Sequence, residues 1–418
     1  MGDKIQFSNF EISDKYICCT CKTYSNNSEE KMDKLEFKFN KSISVRNDLI
    51  ALALSTLCGK SYSNIYFDLE INQSTYNELK KFTNANIEVL KINNTETISE
   101  TRKNKDNIIL NFSGGFDSLA ALCVMPKNTK LVAIDFGGWF ERETAFFKKF
   151  NPYTVSTNFR QLKYDRSSWT FMGVAAILFS DYLEAKYNVF GTILEGTTYH
   201  FHEFENNSIN VTIPPFSSAG LNDIKYIAGL TEVGTAMVIT YYKPEIVNES
   251  LISLSNPGTE KRYRKQLLTQ IVCEKYNRSI EIDITEPPKT KISFGDNFAL
   301  DFLALYEIKN AGLEEANKTI CNIPREAVEL VDKLKLVFYE KLNTNFLNSI
   351  PENLRKDYLA KLADANIYPY DEQDWKEFRL VTEFLSQYHE GLKRKTQQDT
   401  QGQKKNKLMQ QLINKIIK

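Results

Sequence analysis

The clearest chemical pattern in the chain is a run of six residues, namely Ser113, Gly114, Gly115, Phe116, Asp117 and Ser118. The run follows the apolar segment NIILNF (107–112) and precedes a predicted helix that Pro126 stops. Two glycines allow a tight turn that presents successive N–H groups to an anion, and the helix start adds its positive dipole end. The pattern therefore predicts a phosphate-binding loop. The alternative is an ordinary glycine turn in which Asp117 and Ser118 cap the helix.

This loop resembles the SGGxDS loop of the N-type ATP pyrophosphatases (PP-loop enzymes), which include GMP synthetase, asparagine synthetase and 7-cyano-7-deazaguanine synthase. The chain is most similar to the deazaguanine synthases, including the synthase-like proteins of bacterial anti-phage operons. The segment VAIDFGGWFERE (132–143) resembles their FDYGQRHxxE stretch, and IPPFSSAGLNDIKYIAG resembles the stretch before their late helix. The resemblance covers about residues 106–285.

The resemblance implies binding of ATP and Mg²⁺ and the formation of AMP and pyrophosphate. A carboxylate oxygen of a base-like, deazaguanine-like substrate attacks the α-phosphorus, and an amine then displaces AMP from the acyl-adenylate. The departing pyrophosphate carries several negative charges, which the loop N–H groups, the serine hydroxyls and Mg²⁺ would stabilise. The catalytic residues so implied are Ser113, Asp117 and Ser118, with Asp117 close to the metal, directly or through water.

The end of the second predicted strand, LVAIDF (131–136), is the next candidate site. The family holds adenosine at this point, which implies nucleotide contacts by Asp135, Phe136 and Gly137. Asp135 then contacts the ribose or, equally well, caps the Gly137-Gly138 turn. Both roles stay open at the level of the sequence.

Two charged clusters are candidate substrate contacts. The first follows the predicted strand VFGTIL (189–194), at the place of the family's substrate loop, and comprises Glu195, His200 and His202. The second opens a predicted helix after NPGT and comprises Lys261, Arg262, Arg264 and Lys265. Cations at a helix start oppose its dipole, so an anionic partner would explain them. The alternatives are an ordinary polar loop and solvated charge.

The seven cysteines give no disulfide framework and no complete zinc site. Cys18 and Cys21 form one CxxC, but no second CxxC and no nearby histidine completes four ligands. The segment 253–275, where the deazaguanine synthases carry a cysteine-rich zinc segment, holds only Cys273. We therefore predict no zinc. In the predicted strand KYICCTCKTY, alternation sends Cys18 to one face and Cys19 and Cys21 to the other.

Short apolar strands alternate with helices around the loop. Strands are predicted at 107–112, 131–136, 153–158 and 189–194, and helices after the first strand, at 141–150 and at 167–187. This pattern predicts an α/β fold, a doubly wound parallel sheet with ligands at the carboxyl ends of its strands. The resemblance implies the adenine nucleotide alpha hydrolase-like variant of that fold.

Four segments are predicted along the chain: an N-terminal α+β module (1–105), the PP-loop domain (106–285), a helical region (286–392) and a basic helical tail (393–418). The first module reads as the strand pair KYICCTCKTY and KLEFKFN, a helix at 46–57 and the strand SNIYFDLEIN, with a polar linker at 93–107. The tail has eight Lys or Arg and one Asp. It could contact RNA or a protein partner, or simply stay solvated.

Composition narrows the class of protein. The chain has 418 residues, of which 42% are hydrophobic, which excludes a disordered chain and suits two or three domains. Its 53 Lys and Arg balance 53 Asp and Glu, so no net charge draws it to nucleic acid or membrane. The longest apolar run (171–179) is too short to span a bilayer, and the N-terminus is polar. We expect a cytoplasmic protein without a membrane partner.

The leading hypothesis is an ATP-dependent ligase that forms a carbon–nitrogen bond. Two other functions stay open. One is a nucleotide-binding component of a bacterial anti-phage defence complex, in which the loop senses ATP without turnover. The other is an RNA-modifying enzyme of the same superfamily, with the basic tail as its RNA arm.

Overall fold

The strands of the computed structural model fall mainly in the first half of the chain. The structure describes residues 3–25, 28–94, 106–202 and 212–393. The strands are β1 (Lys4–Ile12), β2 (Tyr16–Ser25), β3 (Ser28–Phe39), β4 (Asn64–Asn72), β5 (Asn86–Asn93), β6 (Asn107–Asn111), β7 (Lys130–Asp135), β8 (Tyr153–Thr157), β9 (Ala185–Val189), β10 (Asn222–Ile224), β11 (Ile292–Ser293) and β12 (Ile320–Cys321).

Helices connect the strands and dominate the second half. They are α1 (Asn47–Cys58), α2 (Gln73–Thr83), α3 (Phe116–Val124), α4 (Glu141–Phe147), α5 (Val174–Phe179), α6 (Pro214–Ser218), α7 (Glu232–Tyr242), α8 (Val247–Leu254), α9 (Glu260–Lys275), α10 (Phe298–Ala311), α11 (Leu313–Ala316), α12 (Arg325–Lys333), α13 (Glu352–Asp364) and α14 (Glu372–Leu385). Among the described residues, no helix has the length and hydrophobicity needed to cross a membrane.

The described residues divide into two compact units. The first comprises those within Met1–Gly114, Pro126–Phe190 and Asn210–Ile224, and the second those within Gly115–Met125, Gly191–Ile209 and Lys225–Lys418. These boundaries differ from the predicted segments. The strands before residue 105 share a unit with β6 to β10, whereas α3 belongs with the helical region. Residues 95–105 of the predicted linker and 394–418 of the predicted tail lie outside the described residues.

One ten-stranded sheet organises the first unit, in the order β10-β9-β6-β7-β8-β3-β2-β1-β4-β5. Most neighbouring strands are parallel, and antiparallel pairs join β1, β2, β3 and β8. The predicted α/β class with a large, mostly parallel sheet is therefore confirmed. Helix α1 is buried along nearly its whole length, as expected of a helix that is apolar on every side.

The predicted long helix at 167–187 is wrong. A 3₁₀ turn (Trp169–Gly173) leads into the short α5, and residues 185–189 form β9, which hydrogen-bonds between β6 and β10. Glu184 has a φ of 48°, and this left-handed backbone separates the helical part from the strand. The predicted strand at 189–194 accordingly starts too late. The pairing energy of a central strand outweighs the helical pattern of the isolated sequence.

The cysteine run lies on β2, as predicted. Cys19 and Cys21 are part of the hydrophobic core, whereas Cys18 donates to the Glu11 carboxylate over 3.5 Å. Burial raises the pKa of Cys21 to about 12, so its thiol stays protonated at neutral pH. In the described part of the chain, no three His, Cys, Asp or Glu side chains are grouped to hold a metal ion.

Candidate functional site

The predicted phosphate loop lies between a strand and a helix, as expected. Strand β6 ends at Asn111 and α3 begins at Phe116, whose side chain is buried. Gly114 has a φ of 77°, and a Cβ there would lie 2.7 Å from a ring carbon of Phe146. Glycine is therefore required at this position for both conformation and space. The chain passes from the first unit to the second between Gly114 and Gly115.

Asp117 forms an ion pair with a buried lysine. Lys265 on α9 donates from Nζ to Oδ1 of Asp117 over 2.8 Å, and only 3% of the lysine side chain is exposed. The Thr235 hydroxyl lies 3.3 Å from the same carboxylate oxygen, and Glu232 Oε1 is 3.4 Å from Nζ. Burial alone would lower the pKa of Lys265, but Asp117 and Glu232 raise it, so the lysine stays charged.

Neither Asp117 nor Ser118 caps α3, which was the alternative interpretation of the sequence. No side chain caps the N-terminus of α3. The Ser118 hydroxyl donates to the carbonyl oxygen of Gly115 over 3.0 Å, and the side chain is buried. Ser113, predicted as a catalytic residue, is half-buried. The structure thus gives Asp117 an electrostatic partner and gives Ser118 a contact within the first turn.

The first turns of two further helices contribute charge to the Asp117 cluster. Glu232 is the first residue of α7, whose N-cap Thr231 accepts from the Gly234 N–H. Glu260 is the first residue of α9. Carboxylates at these positions interact favourably with the helix dipoles, which also favour any other anion placed there.

Arg264, predicted as a substrate contact, is already paired within the protein. It contacts Oε2 of Glu232 through Nη1, and its Nε donates to Oε1 of Glu260 over 2.6 Å. Both carboxylates hold the buried guanidinium, so the anionic partner expected from the sequence is intramolecular. Arg262 is buried and contacts the Ser255 carbonyl, and Lys261 is exposed. Of the four cations that open α9, the structure brings Lys265 to the loop.

Glu195, a predicted substrate residue, lies close to this cluster. Its Oε1 accepts the backbone N–H of Glu232 over 2.7 Å, and its buried Oε2 has no hydrogen-bond partner among the described residues. Burial, reinforced by the charges of Glu232 and Asp117, raises the pKa of Glu195 to about 8. At neutral pH this carboxyl is therefore mainly protonated.

A second buried carboxyl, Glu307 on α10, has no hydrogen-bond partner for either oxygen among the described residues. Burial raises its pKa to about 8, against the lowering effect of Arg264. The folded protein therefore holds this proton more tightly than the unfolded chain. The stability that this provides is lost as the pH rises from about 4.5 through about 8.

Replacing Glu307 by glutamine should remove this pH dependence. We expect the variant to melt at least about 3 °C above the wild type at pH 9, and to match it at pH 5. Melting curves between pH 5 and 9 measure this, with the exposed Glu314→Gln on α11 as the control. Parallel curves for Glu307→Gln and the wild type would contradict the assignment.

Gly191, which follows β9 closely, lies against the first turn of α3. A Cβ at Gly191 would lie 2.9 Å from the backbone nitrogen of Ser118 and 3.1 Å from its Cα. Because these are backbone atoms, they can yield only if the start of α3 moves. This close approach was not predicted from the sequence.

Gly191→Ala should accordingly destabilise the protein by about 1–3 kcal/mol, because the added methyl group overpacks a backbone contact. We also expect the variant to lose any stabilisation by Mg·ATP. The matched control is Gly196→Ala, whose Cβ would meet only a methyl group of Thr192. Melting curves with and without nucleotide measure both effects. A Gly191→Ala variant with the same stability and nucleotide response as Gly196→Ala would contradict this interpretation.

The histidines predicted as substrate contacts are held by backbone carbonyls. The ring of His200 is buried, and its Nδ1 contacts the carbonyl oxygens of Ile193 and Leu194. Burial, together with Lys225, lowers the pKa of His200 to about 4, so the ring is neutral. His202 contacts the Gly391 carbonyl. Both residues stabilise turns of the second unit.

In the first unit, Asp135 has the capping role that the sequence left open. Its Oδ1 accepts the Gly137 N–H over 3.0 Å and the Thr144 hydroxyl over 2.9 Å. The side chain of Phe136, predicted to contact nucleotide, is a core residue that packs against Phe159. The turn at Gly137 is as predicted, with a φ of 63°.

The Asp117 carboxylate is suited to bind a magnesium ion, either directly or through a water molecule. About 30% of its side chain is exposed, and its Oδ2 has no ion pair or hydrogen bond among the described residues. Mg²⁺ in nucleotide sites takes one or two carboxylates, with phosphate oxygens and water completing the shell. A single carboxylate beside the predicted phosphate loop is compatible with such an ion.

Comparison with known proteins gives no further guide to this site. No protein-family model matches the chain, and no curated protein and no solved structure matches it.

Proposed function

We propose that this chain is an ATP-dependent, AMP- and pyrophosphate-forming ligase of the PP-loop kind, which joins a carboxylate to an amine. The observation that carries the proposal is the Asp117–Lys265 pair, which places a buried cation and a partly exposed carboxylate at the start of α3. A cation beside a glycine-rich strand–loop–helix turn is what a polyphosphate requires.

In the proposed reaction a substrate carboxylate oxygen attacks the α-phosphorus of ATP. The bond from that phosphorus to the bridging oxygen breaks, and pyrophosphate leaves with the bonding electrons. Lys265 and the loop N–H groups would stabilise the charge that develops on pyrophosphate, while Mg²⁺, with Asp117 as its protein ligand, would supply further positive charge. An amine then displaces AMP from the acyl-adenylate. The proposed substrate is a carboxylic acid that resembles a nucleobase, as in the deazaguanine synthases.

The same proposal predicts stabilisation by nucleotide. Mg·ATP at 100 times its dissociation constant should stabilise the fold by about 2.7 kcal/mol, which raises the melting temperature by several degrees. Inorganic pyrophosphate with Mg²⁺ should also stabilise it, since the loop is proposed to bind that part of ATP. Thermal melts at millimolar ligand test this, with adenosine as the control. The absence of any shift with either ligand would refute the nucleotide site.

A further inference from the structure

A cavity of about 460 Å³ lies within the second unit, beside the C-terminal half of α9. Its lining includes residues of α9 and of the segment that follows the helix. The cavity is distinct from the Asp117 cluster, because neither Asp117, Thr235 nor Lys265 is among its lining residues. Its volume is in the range of small-molecule sites in proteins, roughly 300–1,000 Å³.

The segment that forms the outer wall is long and irregular. Residues 276–291 contain neither helix nor strand. They are nevertheless held in place, because Asn248 donates to the Glu281 carbonyl over 2.8 Å and the Thr285 N–H donates to Gln266 over 3.1 Å. Long segments without secondary structure inside a compact domain are usually either functional or disordered linkers, and this one is held by hydrogen bonds. Because these hydrogen bonds hold the segment in place, it forms a wall of fixed shape.

Arg278 supplies the cavity with an unpaired cation. Among the described residues its guanidinium has no ion-pair partner, and its buried Nε has no hydrogen bond. The ring of Tyr241 lies 5.0 Å from Cζ and holds the guanidinium by a cation–π contact. A guanidinium with free donors is suited to a carboxylate.

Most of the other lining residues are acidic or apolar, and the acidic ones complement the charge of Arg278. Glu274 and Glu281 line the same cavity, and neither forms an ion pair with a described residue. Glu274 Oε1 accepts a hydrogen bond from Gln270 over 2.7 Å. The apolar part of the wall consists of Ile280, Ile282 and Ile284, at alternate positions of the segment. A ligand that carried only a carboxylate would face two carboxylates. A ligand that carried only an amine would face the guanidinium.

We propose that this cavity is a binding site for a small zwitterion with an aliphatic side chain, an α-amino acid. The ligand carboxylate binds Arg278, its ammonium group faces Glu274 and Glu281, and its side chain packs on the isoleucines. The site is independent of the proposed nucleotide chemistry at the loop.

The test is binding of three probes to the full chain, measured by saturation-transfer NMR titration. The probes are L-leucine, 3-methylbutanoate (the carboxylate alone) and 3-methylbutylamine (the amine alone). We expect leucine to bind at least about tenfold more tightly than either fragment. Equal affinity for leucine and a fragment would overturn the zwitterion assignment. Failure of all three probes to bind saturably at tens of millimolar would overturn the site.

Variants separate recognition from folding. Arg278→Gln should weaken leucine binding by about tenfold or more, while Arg325→Gln, which removes an exposed arginine from α12, should leave it unchanged. If Arg278→Gln does not fold, the second variant is Glu281→Gln, which changes an exposed residue of the cavity wall. In this variant the affinity for leucine should come close to the affinity for 3-methylbutanoate. Unchanged preference for leucine in a folded variant would contradict the proposal.

Discussion

Asp117→Ala is expected to reduce pyrophosphate formation by at least about 10²–10³-fold at a temperature where the variant is folded. The carboxylate is proposed to act on the metal and the departing pyrophosphate, so its contribution grows as charge moves onto the leaving group. Its loss also breaks the ion pair with the buried Lys265, so the variant should melt below the wild type. The partial exposure of Asp117 limits this loss of stability, and the side chain does not cap α3. Ser118→Ala removes a neutral group and should cost less activity.

The control for Asp117 is an aspartate that does cap a helix. Asp371 accepts the N–H groups of Gln373 and Asp374 at the start of α14, in a capping box. Asp371→Ala should therefore lower stability by about 1 kcal/mol and leave pyrophosphate formation intact. In paired measurements of rate and melting temperature, both variants are expected to lose stability, but only Asp117→Ala should lose pyrophosphate formation. A fully active Asp117→Ala with a lowered melting temperature would reduce the loop to a structural turn.

Lys265→Met is expected to weaken pyrophosphate binding and to destabilise the protein as well. The substitution keeps the length and apolar stem of the side chain but removes the charge from the carboxylates of Asp117 and Glu232. Breaking a buried ion pair typically costs about 3–5 kcal/mol, and partial exposure of Asp117 should hold the loss near the lower end. Affinity for pyrophosphate should fall at least about 30-fold, as expected for a lost charge-assisted contact.

Lys275→Met on the same helix is the matched control for Lys265→Met. Lys275 also pairs with a buried glutamate, Glu340, over 2.5 Å. The control variant should lose stability but bind pyrophosphate like the wild type, as measured by calorimetric titration at a temperature where both variants are folded. Equal affinity for pyrophosphate in Lys265→Met and Lys275→Met would exclude Lys265 from the site.

The loop could be found from the sequence because its signal is local. Two glycines, two serines and an aspartate stand within six residues, directly after an apolar strand and before a helix. The partner of Asp117 could not be found in this way, because Lys265 is 148 positions away. It stood out in the sequence only as one of four cations at a helix start, and folding decides which of them meets the loop. Thr235, Glu232 and Glu307 carried no such signal.

The fold shows the same limit. The strand pair β2 and β3, helix α1 and strands β4, β6, β7 and β8 follow from periodicity and turn residues. Strand β1 was missed, because its sequence KIQFSNFEI lies in a polar N-terminus and gains its stability between β2 and β4. No local sequence pattern predicts that β3 pairs with β8. This pairing joins the N-terminal strands to the strands β6 to β10.

The products formed from ATP labelled at its α-phosphorus provide the most direct test of the proposed chemistry. The protein is incubated with Mg·ATP, ammonium and a mixture of small carboxylic acids that includes deazaguanine-like bases, and the products are separated by chromatography. We predict labelled AMP and an equal amount of pyrophosphate, both lost in Asp117→Ala. Labelled ADP, or ATP that stays bound and intact under every condition, would contradict the proposed ligase.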